Sequence, residues 1–375
     1  MFINFWYAAG RSEDITNEAP TKVRMLGLDF VLFRDSAGQA HCLNDTCVHR
    51  GGSLGNGKIK GDCVQCPYHG WEFDGEGACQ KVPSLGPGGK PPARARTDTY
   101  PVEERYGLVH VFLGDLPEAE RPPIMDIPEY GTDGWRATIQ RYDWVIDYQR
   151  SVENALDPAH NEFVHPTHGF SGEDPDYHVP ALNIDNTDWG TGFLVEYKAP
   201  PLKDDKMREG TGRDHVGQIT AGTWTHGPTC NVTRINPMPD KHIHQYSFKT
   251  PVDDTHSRSY LVNLRNFMIE PENDARMMGR NDVVAGQDGV ILEAINPLVT
   301  PPTNTKEIFV PADGAIARYR EILKGWEAKG WKIDLDKVEA DRKNVAYAIP
   351  SPARRNAKGW VIDAVPMVDP KDAAE

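Results

Sequence analysis

Along the first third of the chain, apolar and β-branched residues come in short runs cut by turn residues. Thr21-Lys-Val-Arg-Met-Leu-Gly and Phe30-Val-Leu-Phe-Arg predict two strands, with Asp35-Ser-Ala-Gly38 as a turn. Trp71-Glu-Phe-Asp-Gly75 followed by Glu76-Gly77 predicts a strand and hairpin turn, and Val102–Leu113 one more strand. Residues 83–97 are rich in Pro and Gly and are expected to form a loop, whose Lys90, Arg94 and Arg96 suit either solvated surface or a docking patch. Leu116-Pro-Glu-Ala-Glu-Arg-Pro-Pro123 has the composition of a linker. Strand-like stretches follow at Trp135–Gln140 and Tyr142–Val145, then a helical stretch at Tyr148–Ala155. A larger antiparallel sheet is expected, with strands near 192–197, 216–224, 230–236, 242–249 and 258–264. Helices return near 272–295 and 313–329, where Asp313 suits an N-cap, and the tail after about 350 is expected to be irregular. The pattern is that of an α+β protein in two domains, 1–118 and 119–375.

Composition narrows the function classes. With 39% hydrophobic residues in 375, the chain can bury a substantial core. A net charge of −14 argues against nucleic acid and anionic membranes, which attract basic surfaces. The apolar start, Met1-Phe-Ile-Asn-Phe-Trp-Tyr-Ala-Ala, lacks a basic leader and is too short to span a bilayer. Six scattered cysteines do not form a disulfide framework, so a reducing, cytoplasmic setting is expected.

Two of those cysteines carry the most specific signal in the chain. Cys47-Val-His49-Arg50-Gly51 and Cys66-Pro-Tyr-His69-Gly70-Trp71 supply one Cys-x-His and one Cys-x-x-His pair. Two thiolates and two imidazoles in this order suit a Rieske [2Fe–2S] cluster, with cysteines on one iron and histidines on the other. Gly51, Gly52 and Gly70 allow close approach to the sulfides and the positive φ that ligand loops need. Zinc is the competing reading. A Cys63/Cys66/His69 set is conceivable, but it leaves the Cys47–His49 pair unused. With the cluster, Cys63 is a small buried residue.

A second constellation lies at Asn154-Ala-Leu-Asp157-Pro-Ala-His160-Asn-Glu-Phe-Val-His165-Pro166. Histidines five apart stand about 140° apart on an ideal helix and cannot share a ligand by register alone. Pro166 supplies the break: it disfavours the helical region at His165, which can then swing back toward His160. Pro158 marks Asp157 as a kink or N-cap. The alternative for the two histidines is ordinary polar packing. A mononuclear iron site of the facial-triad type needs one carboxylate more, and Asp282, Asp288 and Glu293 compete. Asp288 is favoured, because Val284, Asp288, Ile291 and Ile295 fall on one helical stripe, and a carboxylate facing a core is costly without a metal or partner. His168 and His226 read as structural or pocket residues. Phe163, Trp224, Tyr246 and Phe267 are either pocket wall or plain core.

With both sites in view, the chain resembles the oxygenase component of Rieske non-haem iron oxygenases. Asp157-x-x-His160-x-x-x-x-His165 matches the iron motif of that family, and Gln287-Asp288 through Leu292-Glu293 is similar to the segment bearing its third ligand. Asn4-Phe-Trp-Tyr-Ala-Ala and the Asn154/Asp157 spacing resemble the α-only branch related to phthalate dioxygenase and to dicamba and vanillate demethylases. The resemblance implies a Rieske domain followed by a catalytic domain with a curved antiparallel sheet covered by helices. It implies one [2Fe–2S] cluster on Cys47, His49, Cys66 and His69, and one Fe(II) on His160, His165 and Asp288. It further implies a head-to-tail trimer, or a multiple of one, in which Asp157 bridges His69 of one subunit to His160 of the next, with Asn154 near the iron. Electrons come from NAD(P)H through a separate reductase, in some members with a ferredoxin; this chain has no dinucleotide-binding glycine fingerprint of its own. The implied reaction is hydroxylation, dihydroxylation or demethylation of an aromatic substrate, an aromatic acid by family branch. Two other classes stay open: a Rieske electron-transfer or redox-sensing protein without oxygenase activity, and a zinc-binding interaction module.

Overall fold

The computed structural model describes residues 1–199, 201–202, 204–211 and 217–371. The chain divides into two compact units. One comprises Met1–Ile124, Thr250–Asp254 and Trp326–Glu375; the other comprises Met125–Lys249 and Thr255–Gly325. The second domain expected over 119–375 therefore needs correction, because the segment from Trp326 onward packs with the amino-terminal unit. Buried polar contacts explain why. Arg354 makes a bidentate pair with Asp98 (Nε–Oδ1 and Nη2–Oδ2, both 2.7 Å), and the Ser351 hydroxyl donates to the same carboxylate at 2.7 Å. The Tyr100 hydroxyl donates to the carbonyl of Ile349 at 2.8 Å. Asp98 is fully buried, so without this carboxy-terminal segment it would hold an uncompensated charge.

Beside one short parallel pair, Tyr347–Ala348 with Asp363–Ala364, the amino-terminal unit holds small antiparallel sheets. Thr21–Met25, Leu28–Arg34, Ala40–Asn44 and Thr99–Tyr100 form one; Lys58–Lys60, Cys63–Gln65, Glu72–Phe73 and Cys79–Lys81 form another. The strand expected over 102–113 is instead a hairpin, Val102–Arg105 paired with Leu108–Leu113. Tyr106 and Gly107 have φ of 58° and 74°, the backbone of a tight hairpin turn that matches strand twist. The apolar start of the chain is an edge strand, Phe5–Arg11, antiparallel to Leu108–Leu113. In the 83–97 loop Lys90 and Arg94 are exposed, whereas Arg96 lies over the Trp360 ring at 4.3 Å and donates to the carbonyl of Lys358.

The second unit holds a seven-stranded antiparallel sheet. Its strands are β1 (Arg136–Trp144), β2 (Asn183–Thr187), β3 (Gly190–Ala199), β4 (Gly217–His226), β5 (Cys230–Met238), β6 (Lys241–Pro251) and β7 (Ser257–Arg265). They run in the order β1-β7-β6-β5-β4-β3-β2. The five strands expected between 192 and 264 all form, except that residue 216 lies outside the described residues, and the strand-like stretches at 135–140 and 142–145 merge into β1. Its helices include α1 (Tyr148–Ala155), α2 (Asn161–Val164), α3 (Asp274–Leu292) and α4 (Gly314–Glu327). Asp147 caps α1 by accepting from the amide of Gln149 at 3.2 Å. Asp313 sits just before α4 and accepts from the amide of Val310 at 2.7 Å.

The inward face of α3 differs in part from the expected stripe. Met277, Asn281, Val284, Asp288 and Leu292 face inward, while Ile291 is half exposed and Ile295 lies beyond the helix end. At 100° per residue Leu292 falls about 40° from the direction of Asp288 and Ile291 about 60° on the other side. A buried ion network ties α1 to α4: Arg320 grips Glu153 through Nε–Oε1 at 2.6 Å and Nη2–Oε2 at 2.5 Å. Arg320 also reaches Glu307 at 2.7 Å, and Glu307 is paired with Arg150 at 2.5 Å.

Candidate active site

The four cluster candidates converge on two loops of similar build. In the first, the Gly51 amide donates to the carbonyl of Cys47 at 2.9 Å; in the second, the Gly70 amide donates to the carbonyl of Cys66 at 3.0 Å. Both glycines have φ of 71°, a conformation costly for any residue with a Cβ. The His49 and His69 rings lie edge to face at 4.5 Å, and Trp71 stacks on His49 at 4.5 Å with only 6° between planes. Nδ1 of His49 is buried with no hydrogen-bond partner. A buried ring nitrogen left unpaired is unusual for a structural histidine and suits a metal ligand. Burial, with the neighbouring Cys66 thiol adding to it, pushes the Cys47 thiol up to about 12, so a thiolate there calls for a bound cation. The donor set therefore fits a [2Fe–2S] cluster. Gly52 forms the wall: a Cβ placed on it would meet the Cys66 sulfur at 2.8 Å. Gly52→Ala is expected to lower the acid-labile sulfide retained per chain without unfolding the second unit, as sulfide assay and circular dichroism would show. Cys63 lies in a strand, half buried, and burial pushes its thiol up to about 11.

In the second unit, α1 ends at Ala155 and the chain turns through Leu156–Ala159 into α2. Asp157 shapes that turn, its Oδ1 accepting from the amide of Ala159 at 2.7 Å. His165 leaves the helical region at φ −112°, ψ 69°, immediately before Pro166, as the residue before a proline tends to do. This break brings the two imidazoles together. Nε2 of His160 and Nε2 of His165 are 3.2 Å apart, and Oδ1 of Asp288 lies 3.2 Å from the His165 nitrogen and 3.8 Å from the His160 nitrogen. The three ligand atoms all fall within 4.8 Å of one another.

The far sides of the rings decide what those nitrogens can do. Nδ1 of His160 donates to the carbonyl of Asp157 at 2.6 Å, and Nδ1 of His165 donates to Oε1 of Gln287 at 3.0 Å. Both Nδ1 protons are thus held on the outside, so the two Nε2 atoms and a carboxylate oxygen face one point. Against the opposing effect of burial, the Asp288 carboxylate raises His165, so a proton or a metal cation can lie between them, and outer partners of this kind orient metal-bound histidines. Burial pushes His160 down and, although it opposes the charge on Asp288, the His165 bond and charge hold that carboxyl below its usual range. A neutral imidazole and an ionised carboxylate are what a divalent iron takes. Asn154, on α1, donates to Oδ1 of Asp288 at 3.1 Å. The carboxylate of Asp157 comes no closer than 3.8 Å to Nδ1 of His160, and its carbonyl makes the bond instead.

The three residues line one wall of a cavity of about 1220 Å³ bordered by the sheet, by α1, α2 and α3, and by the loop through 168–180. Asp282 and Glu293 stand away from it, Asp282 accepting from Gln140 at 2.6 Å and from Tyr142 at 3.1 Å. His168 lines the cavity, its ring 4.9 Å from that of His165. Of the aromatic residues singled out in the sequence, none is a cavity wall: Phe163 is 65% exposed, Tyr246 and Phe267 are buried core, and Trp224 is off the lining. The aromatic lining comes from Tyr142, Trp144, Phe170, Tyr177 and Phe193. Gln287 lies in the segment already singled out around Asp288, though nothing there marks it as a partner of His165; Lys249 and Asn231 have no motif around them, and alternation along β5 and β6 is their one available signal, which marks a face without saying what the face touches.

Comparison with known proteins agrees with this architecture. Residues 5–101 match the Rieske [2Fe-2S] domain, and residues 144–329 match the vanillate O-demethylase oxygenase C-terminal domain. The chain is 29% identical over 343 residues to a toluene-4-sulfonate monooxygenase system iron–sulfur subunit of Comamonas testosteroni, covering 86% of this chain and 96% of that one. It is 26% identical over 258 residues to the 5,5'-dehydrodivanillate O-demethylase oxygenase subunit of a Sphingobium species, covering 67% and 55%. The fold is similar to dicamba monooxygenase bound to 3,6-dichlorosalicylic acid, with a TM-score of 0.72 at 23% identity over 87% of this chain and 98% of that one. It is likewise similar to NdmB of Pseudomonas putida CBB5, with a TM-score of 0.70 at 22% identity over 98% and 97%. The chain belongs to the Rieske non-haem iron oxygenases, the family of two-domain oxidoreductases that join a Rieske domain to an oxygenase domain. It is an oxygenase component, and no helix among its described residues is long and apolar enough to cross a membrane.

Proposed function

We propose that this chain is a terminal oxygenase that hydroxylates, dihydroxylates or demethylates an aromatic substrate, an aromatic acid, in the cavity beside His160, His165 and Asp288. The observation that carries the reading is the convergence of two outward-protonated imidazoles and one carboxylate on a single point of the cavity wall. Fe(II) held there by His160, His165 and Asp288 would supply O2 activation, and a cluster in the other unit would supply the two electrons that each O2 takes together with two protons. The chain's residues do the rest. Gln287 and the Asp157 carbonyl fix the ring tautomers, Asn154 fixes the Asp288 carboxylate, and the cavity holds the ring of the substrate. Cys47, His49, Cys66 and His69 would hold the cluster. Electrons would come from NAD(P)H through a separate reductase, with or without a ferredoxin. A trimer, or a multiple of one, in the cytoplasm is the matching assembly, with Asp157 between His160 and the His69 of an adjacent subunit. The relatives named for toluene-4-sulfonate and for 5,5'-dehydrodivanillate support an aromatic acid as substrate.

The test is iron and acid-labile sulfide per chain after anaerobic purification, with the EPR spectrum of the reduced protein. Roughly three irons and two sulfides with a Rieske-type signal are expected; two irons that Fe(II) cannot supplement would mean an electron carrier. In the same assay Asp157→Asn is expected to keep both iron complements while turnover falls roughly 10- to 100-fold. Product formation with normal coupling to electron consumption in that variant would overturn the bridging role of Asp157.

A further inference from the structure

The floor of the cavity holds a cation that the iron site does not account for. Lys249, on β6, is 5% exposed and lines the cavity. Its ammonium donates to one group, the backbone carbonyl of Ser151 at 2.6 Å, and among the described residues no carboxylate lies within ion-pair distance. An ammonium carries three donors, and a buried charge is costly unless paired. Burial pushes it down to about 7, with the Asp288 carboxylate acting against that shift from a distance. The other basic residues of the lining differ: Lys198 is exposed and Arg280 half-buried.

A second unsatisfied group lies beside it. Asn231 on β5 is 3% exposed, lines the cavity, and has a buried Oδ1 with no hydrogen-bond partner. In the ladder Asn231 stands directly opposite Ser247, and Lys249 is two residues further on, on the same face. Neighbours so placed lie within reach of one small group. Turned about its last torsion, the same amide presents two N–H donors in place of the oxygen. A carboxylate could accept from the Lys249 ammonium, from the Ser247 hydroxyl and, with the amide so turned, from Asn231; a neutral hydrocarbon could accept from none of them.

The geometry points to Lys249, Asn231 and Ser247 as the subsite that holds the carboxylate of an aromatic acid, turning its ring toward His160, His165 and Asp288. The inference rests on reading the cavity as the substrate pocket. Lys249 and Asn231 are then specificity-determining residues that select an anionic substrate over its neutral analogue.

The test uses anaerobically purified holoprotein and matched ring-substituted benzoates and benzamides, which share a shape and differ in charge, with binding read by calorimetry. The wild-type protein is expected to prefer each benzoate over its benzamide by roughly 10- to 100-fold. Lys249→Met is expected to erase that preference while keeping iron and sulfide content. Should that variant fail to fold, Asn231→Asp serves, because a negative charge on the same floor weakens benzoate binding and spares benzamide. Benzoates bound no more tightly than benzamides, or a preference that survives in Lys249→Met or in Asn231→Asp, overturns the subsite. Benzamide binding with unchanged iron content would leave the oxygenase reading standing without the subsite. Failure of both series to bind would overturn the aromatic substrate together with it.

Discussion

His165→Ala is expected to strip one iron per chain and reduce substrate oxidation to background, while the sulfide content and the EPR signal of the cluster stay as they are. The asymmetry follows from placement. His165 supplies one of three converging ligand atoms and is 2% exposed; the cluster candidates lie on two loops of the other unit. Loss of Nε2 leaves His160 and Asp288 as a two-ligand set, too few to hold iron against dilution. Gln287 would also lose its ring partner, though Thr167 still donates to the same Oε1 at 3.1 Å. Iron analysis paired with sulfide analysis separates this outcome from general unfolding. Equal loss of iron and sulfide would sink the assignment of His165 to a separate site.

Arg320→Ala is expected to be the most destabilising single change in the second unit. Arg320 and Glu153 are 6% exposed each and joined through two short hydrogen bonds. Burial pushes the Glu153 carboxyl up, and the Arg320 charge is what offsets this. Removing the guanidinium leaves that carboxylate buried and unpaired, which costs about 3–5 kcal/mol. The double variant Glu153→Leu with Arg320→Leu should recover much of the loss, since apolar residues of similar volume replace a buried pair at little net cost. Urea unfolding followed by tryptophan fluorescence would read both. A single variant as stable as the wild type would show that Glu307 and Arg150 carry the network alone. Because Glu153 adjoins Asn154 on α1, the single variant should also loosen the contact between Asn154 and Asp288.

Much of the site is legible in the order of the residues. The Cys-x-His and Cys-x-x-His pairs are local, each within one turn, so spacing alone sets which residues can meet. The Pro166 break likewise predicts that His165 turns back toward His160. Asp288 follows from helical period, yet the stripe that points to it is only half correct. Ile291 is half exposed and Leu292 faces inward, because apolar residues on one side of a helix can equally face solvent. The hairpin at Tyr106-Gly107 escapes the pattern of apolar runs, since a non-glycine residue at positive φ carries little sequence signal.

Sequence by itself marked the candidate chemistry, two local Cys/His pairs and a proline-broken histidine pair, and strands in six of the seven places of the larger sheet. Each is set by neighbours a few residues apart, where backbone geometry leaves few choices. Tertiary structure alone decided how distant parts combine. It placed the carboxy-terminal segment against Asp98, set Gln287 behind His165, and moved the expected aromatic wall away from Phe163, Tyr246 and Phe267. It also left Lys249 and Asn231 short of partners on a buried sheet face. Such outcomes depend on which surfaces meet across long stretches of chain, and a buried charge or amide shows its lack of a partner only once the whole shell around it has closed.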